Sequence, residues 1–152
     1  MRRNRMKRIG ICIIIFILLF MTGCNEEESE IDKLIERVAL SDLEEDVKDF
    51  INRKNIDNGI YMINTMDKQY LFLNSQSVVN GEEAAYFSNV YAEFSAETLK
   101  IYFEEHFVKD YSDDRLEDNM VIYLIHDDPR REYILPHKNG IEIPFDVIFG
   151  GI

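Results

Sequence analysis

Residues 59–73 read GIYMINTMDKQYLFL. Four apolar residues, Ile60-Tyr61-Met62-Ile63, precede a polar stretch, Met66-Asp67-Lys68-Gln69, and four more follow it, Tyr70-Leu71-Phe72-Leu73. β-branched and aromatic side chains in short runs, separated by turn formers, favour pleated and half-buried backbone. The stretch therefore predicts two strands and a turn. The same signals continue downstream. Asn80-Gly81 marks a turn. Ala84–Ser95 (AAYFSNVYAEFS) alternates partly, with Tyr86, Ser88 and Val90 on one side and Phe87, Asn89 and Tyr91 on the other. Thr98–Phe107 alternates Leu99, Ile101 and Phe103 against Lys100, Tyr102 and Glu104, and the short link Ala96-Glu97 makes these two strands a hairpin candidate.

Residues 109–119 (KDYSDDRLEDN) form a polar loop, after which Met120–Ile125 (MVIYLI) is apolar enough for a central strand. Arg131–Leu135 and Ile141–Ile148 flank Lys138-Asn139-Gly140, a hairpin turn. Pro144 has no N–H to give a ladder, so the last strand should lie at an edge or bend there. The end, Phe149-Gly150-Gly151-Ile152, reads as a loose tail.

Upstream the period changes. Ser29 with Asp32, and Ser41 with Glu44, have the spacing of capping boxes. Ile31, Leu34, Ile35 and Val38, then Leu43, Val47, Phe50 and Ile51, recur at helical spacing. This predicts one bent helix or two short ones between 30 and 53. Helix followed by strands gives an α+β expectation: an N-terminal helical segment packed on a mainly antiparallel sheet of about seven strands, forming one domain over 31–149.

The charge is uneven. The 152 residues carry 17 basic and 29 acidic side chains, a net of −12. Residues 1–23 hold Arg2, Arg3, Arg5, Lys7 and Arg8 and no acid, which leaves 12 basic against 29 acidic residues in 24–152, a net of −17. Such a body repels a phosphate backbone and argues against nucleic acid as a partner. With 46% hydrophobic residues, 10 Phe and 8 Tyr, it has enough apolar surface for a core.

The basic start leads into an apolar run from Ile9 to Phe20, broken only by Gly10. That run suits the h-region of a secretory signal and falls short of the roughly 20 residues that span a bilayer. It ends in Met21-Thr22-Gly23-Cys24, which resembles the lipobox of bacterial lipoproteins. Leu is the commoner residue where Met21 stands. The resemblance implies diacylglyceryl transfer to the Cys24 thiol, with Met21, Thr22 and Gly23 read by a dedicated signal peptidase. Residues 1–23 would be removed, and 24–30 would be a lipidated acidic tether. Two acyl chains hold a protein stably where one holds it only marginally. The partner implied is thus the cell membrane, through a diacylglyceryl anchor on its extracytoplasmic face, as in a Gram-positive envelope. Without that resemblance, the same segment could be an uncleaved anchor or an ordinary secretory signal. Cys12 lies in the h-region, so the mature chain would keep Cys24 alone and have no internal disulfide.

Chemistry-bearing motifs are sparse. There is no Gly-x-Ser-x-Gly and no Gly-rich phosphate loop. The three histidines are His106, His126 and His137. His126 with Asp127 or Asp128 could make an acid–base or metal pair, without a second ligand at metal spacing. Asp110, Ser112 and Asp114 alternate as in a calcium loop, but Arg115 stands where that loop needs Gly and Val121 where it needs Glu. No cofactor is expected. Tyr86, Tyr91, Tyr102 and Tyr123 all fall in strands; several on one exposed face would make a carbohydrate- or peptide-binding platform.

The order GIYMI, DKQYLFLN, NGEEAAYFSNVYAEF, ETLKIYFEE is similar to a small β-rich domain of bacterial protease-complex subunits and related exported proteins. That family has Gly-Gly-Tyr where this chain has Ala84-Ala85-Tyr86, so no functional residue is carried over. The similarity implies a non-enzymatic, peptidase-modulating module. The expectation is a small acidic envelope lipoprotein binding an envelope protein or surface ligand, with an enzyme or enzyme subunit centred on His126 and Asp127 as the alternative.

Overall fold

The computed structural model describes residues 34–53 and 56–150. The expected signal segment 1–23, the expected tether 24–30 with Cys24, and the first residues of the expected helix lie outside the described residues. The architecture is mostly β, in two sheets. Strands β6 (Met120–Ile125), β3 (Gln69–Asn74) and β2 (Gly59–Asn64) form the middle of a five-stranded sheet, with β1 (Ile35–Arg37) and β9 (Val147–Gly150) at its edges. The second sheet runs β4 (Ala84–Ser95), β5 (Thr98–Val108), β7 (Tyr133–Lys138), β8 (Ile141–Glu142). One α-helix, α1 (Glu45–Ile51), is found among the described residues.

This overturns the expected helical segment on a single seven-stranded sheet. Ile35–Arg37 is a strand, with Ile35 paired to Ile125 and Arg37 to Tyr123. The stripe around Leu34 is too short to nucleate a helix by itself, and sheet pairing prevails over weak propensity. The capping box at Ser41 is not made either. Leu40–Asp42 is a 3-10 turn, and the Ser41 hydroxyl donates to Asp42. Among the described residues of the expected helical span only seven are α-helical, with Val47, Phe50 and Ile51 buried. Glu45 and Asp46 in the first turn suit the positive end of the helix dipole.

The layers explain the continuous apolar runs. Ile60, Met62, Leu71, Leu73, Val121 and Ile125 point between the sheets, where they meet Phe87, Leu99, Ile101 and Phe103. Tyr61, Ile63, Tyr70, Phe72 and Ile122 point the other way and are covered by Leu43, Val47, Phe50 and Ile51. The middle of the five-stranded sheet is therefore buried on both faces, and its strands lose the polar alternation of a half-exposed sheet. The four-stranded sheet has one face in the core.

The expected hairpins form: β2 with β3, β4 with β5, and β7 with β8. Two pairings are parallel, β2 with β9 and β5 with β7, so the sheets are mixed. At Pro144 the expected last strand divides. Its first part, β8, ends one sheet, and its second, β9, crosses to the edge of the other. The expected loose tail is corrected as well. Phe149 and Gly150 pair with Ile63 and Asn64, and the Phe149 ring lies 4.5 Å from that of Phe50.

Candidate functional site: the outer face of the four-stranded sheet

A β-bulge builds this face. Ser88 pairs with Glu104 and Tyr91 with Tyr102, so Asn89 and Val90 together oppose Phe103. Asn89 absorbs the extra residue at φ 51, a left-handed conformation that Asn tolerates better than most residues. The bulge reverses the alternation. Phe87, Val90, Ala92 and Phe94 belong to the inter-sheet core, while Tyr91 turns outward beside Tyr102. Strict alternation would have placed Tyr91 with Phe87; the structure separates them.

A row of rings results. Tyr91 stacks on Tyr102 with centroids 5.0 Å apart and planes 13° apart, and Tyr102 lies 4.7 Å from the His137 ring at 33°. His137 pairs with Glu142, and its Nε2 lies 3.9 Å from that carboxylate. The row thus crosses all four strands. Along the same face the Tyr86 and His106 rings stack at 5.0 Å. Arg115 closes that end, with its guanidinium carbon 5.1 Å from the Tyr86 ring centroid and Nη1 donating to the Tyr86 hydroxyl at 3.0 Å. Tyr123 does not join them; it packs against the inter-sheet core, and burial raises its phenol pKa.

Carboxylates are set among the rings. The Tyr102 hydroxyl donates to Glu93 at 2.9 Å, and this bond to the neutral phenol raises the Tyr102 pKa. Glu104 accepts from Asn89 Nδ2 at 2.9 Å and lies 3.1 Å from His106 Nε2. Ser88 Oγ also lies 2.9 Å from that nitrogen. Ser88 and His106 are thus within the distance of a nucleophile and its base. However, Glu104 meets the same nitrogen as the serine rather than Nδ1. A triad needs the acid on the far nitrogen, holding the tautomer that frees Nε2 to accept the serine proton. Here serine and carboxylate compete for one site, so the arrangement ties the face together without activating the hydroxyl.

The other expected residues lie elsewhere. His126 and Asp127 line a cleft of about 360 Å³ together with Asn64, Gln69 and Arg131. His126 Nε2 faces Glu36 at 3.5 Å, and Asp127, 94% exposed, reaches Arg131 at 3.4 Å. Arg131 also donates to the His126 carbonyl and to Gln69. The histidine and the aspartate thus turn to different partners. In the acidic loop, Asp110 accepts from both the amide and the hydroxyl of Ser112, which lowers its pKa. Asp114 opens a 3-10 turn, Asp114–Asp118. No group of three or more His, Cys, Asp or Glu among the described residues is placed to hold a metal ion.

Ser88, Glu93, Glu104, Glu142 and Arg115 belong to this candidate face, and the sequence reading assigned none of them to it. The signal that could have found them is Asn89, a tolerated left-handed residue in mid-strand. No family model, no curated protein and no solved structure matches this chain. No helix of the described residues is long and apolar enough to cross a membrane.

Proposed function

We propose that this chain is an extracytoplasmic lipoprotein, anchored at Cys24, whose β domain is a non-catalytic binding module presenting the outer face of the four-stranded sheet to its partner. The anchor is supported by Met21-Thr22-Gly23-Cys24 behind a basic and apolar leader. The observation that carries the binding reading is the Tyr91–Tyr102–His137 row on a broad sheet surface that, among the described residues, neither α1 nor the other sheet covers. Aromatic side chains lose little rotamer freedom on binding and favour contact surfaces.

Two measurements test the two halves. Growth with a radioactive fatty acid should label the unmutated chain and leave Cys24→Ala unlabelled; label on the variant overturns the anchor. Affinity capture from envelope extract should recover a protein or glycan with the native chain and lose it with Tyr91→Ala/Tyr102→Leu. Equal recovery by both overturns the assignment of the face.

A further inference from the structure

We propose that this aromatic face recognises a basic segment of a partner polypeptide, seating a lysine or arginine side chain on Tyr91 between Glu93 and Glu104. The proposal deepens the binding-module reading and rests on it.

Ring geometry argues against a sugar platform. A pyranose stacks on an open, flat aromatic face. Tyr102 instead lies between Tyr91 and His137 at 13° and 33°, so these rings cover one another and turn their edges outward. The exception is Tyr91. It sits on β4, the edge strand of its sheet among the described residues, and is 43% exposed. A cation over the face of a tyrosine ring is attracted by the ring quadrupole.

Charge points the same way. Glu93 is two residues along the same face from Tyr91, and Glu104 is next but one to Tyr102 on β5. Both carboxylates are fixed by neighbours, Glu93 by the Tyr102 hydroxyl and Glu104 by Asn89. Glu142 ends the row beyond His137. Lys100, opposite Glu93, supplies a positive charge within this lattice. A fixed carboxylate on either side of an exposed ring is the chemistry that receives an ammonium or guanidinium group. The net charge of −17 over residues 24–152 would draw such a segment in at long range.

The test uses the full-length chain in detergent micelles and an alternating lysine–glycine octapeptide, followed by calorimetry and by tyrosine emission, which the absence of Trp leaves clear. The native chain should bind the peptide. Tyr91→Ala and Glu93→Gln should each weaken binding about tenfold, the upper range of one cation–π or charge contact. Glu117→Gln removes an exposed charge from the 3-10 turn and should change affinity less than about twofold. Tyr91→Leu serves if the alanine variant unfolds. Equal weakening by Glu93→Gln and Glu117→Gln would reduce the effect to diffuse charge and overturn the proposal. So would failure of the peptide to bind. A neutral chitin tetramer whose binding is lost with Tyr91→Ala would overturn the basic-segment assignment and leave the binding face standing, whereas only loss of the Tyr91/Tyr102 dependence in the envelope capture would remove the face itself.

Discussion

Asp146 grips Ile60 from two directions. Its amide donates to the Ile60 carbonyl at 2.9 Å, and its Oδ2 accepts from the Ile60 amide at 2.8 Å. These two hydrogen bonds between residues far apart in sequence set the chain in place after Pro144 and start β9 alongside β2.

Gly59 leaves room for that grip. A Cβ at Gly59 would lie 2.8 Å from Asp146 Oδ2 and 3.3 Å from its carboxyl carbon. Gly59→Ala should push the carboxylate off the Ile60 amide and cost about 1–2 kcal/mol, comparable with losing a charge-assisted hydrogen bond. Asp146→Ala should cost a similar amount. In the double variant the losses should not add, because the clash and the bond share one carboxylate. Urea denaturation of the four proteins checks this, and strict additivity contradicts it.

Asn89 holds the bulge at φ 51. Asn89→Ala should cost about 1–2 kcal/mol, the penalty of a left-handed backbone for an ordinary residue, with a further loss from the Glu104 bond. Asn89→Gly should recover the backbone part. Equal stability of the alanine and glycine variants in thermal melts would contradict the account.

Phe50 anchors the helix layer. Its ring lies 4.5 Å from Phe149 and 6.3 Å from Tyr61. Phe50→Ala should cost about 3 kcal/mol or more, the usual result of emptying a buried aromatic site. Amide exchange should accelerate in β9 along with α1.

Two aspartates give an acid dependence. The Arg115 guanidinium lowers Asp113 from the ordinary 3.8 to about 2, and Arg130 does the same to Asp128. A depressed folded-state pKa stabilises the fold above the unfolded value and loses that contribution as protons bind. The stability difference between native chain and Asp113→Asn should therefore be constant above about pH 5 and vanish as pH falls from about 4 to about 2. Denaturation midpoints across that window provide the check; a gap that persists at the acid end contradicts it.

Tyr102 offers a spectroscopic readout of the face. Glu93 raises its pKa through the hydroxyl bond. Glu93→Gln should lower the pKa of the one phenol that Tyr102→Phe removes from the tyrosinate titration. An unchanged titration would show that the bond does not persist in solution.

Strand existence was legible because its cues are local. IYMI, YLFL and MVIYLI announce themselves by composition, the Ala96-Glu97 turn by the shortness of the link between two strand patterns, and Lys138-Asn139-Gly140 by turn chemistry. The helical reading of Ile35 failed because a few apolar residues fit two periods, and a partner strand far along the chain selects between them. The division at Pro144 was half legible: a missing N–H says that a ladder stops, but not that the chain will resume pairing in another sheet.

The sequence alone determined the acidic character of the body, the pattern of short strands and tight turns, and the basic and apolar stretch that precedes Cys24, because each depends on residues adjacent in the chain. Tertiary structure decided that there are two sheets, which of their faces is covered, and that Tyr91 stands beside Tyr102. The physical reason for the last is the bulge at Asn89 and Val90. One extra residue reverses the side of everything beyond it, and its position is set by pairing with a neighbouring strand rather than by any local preference.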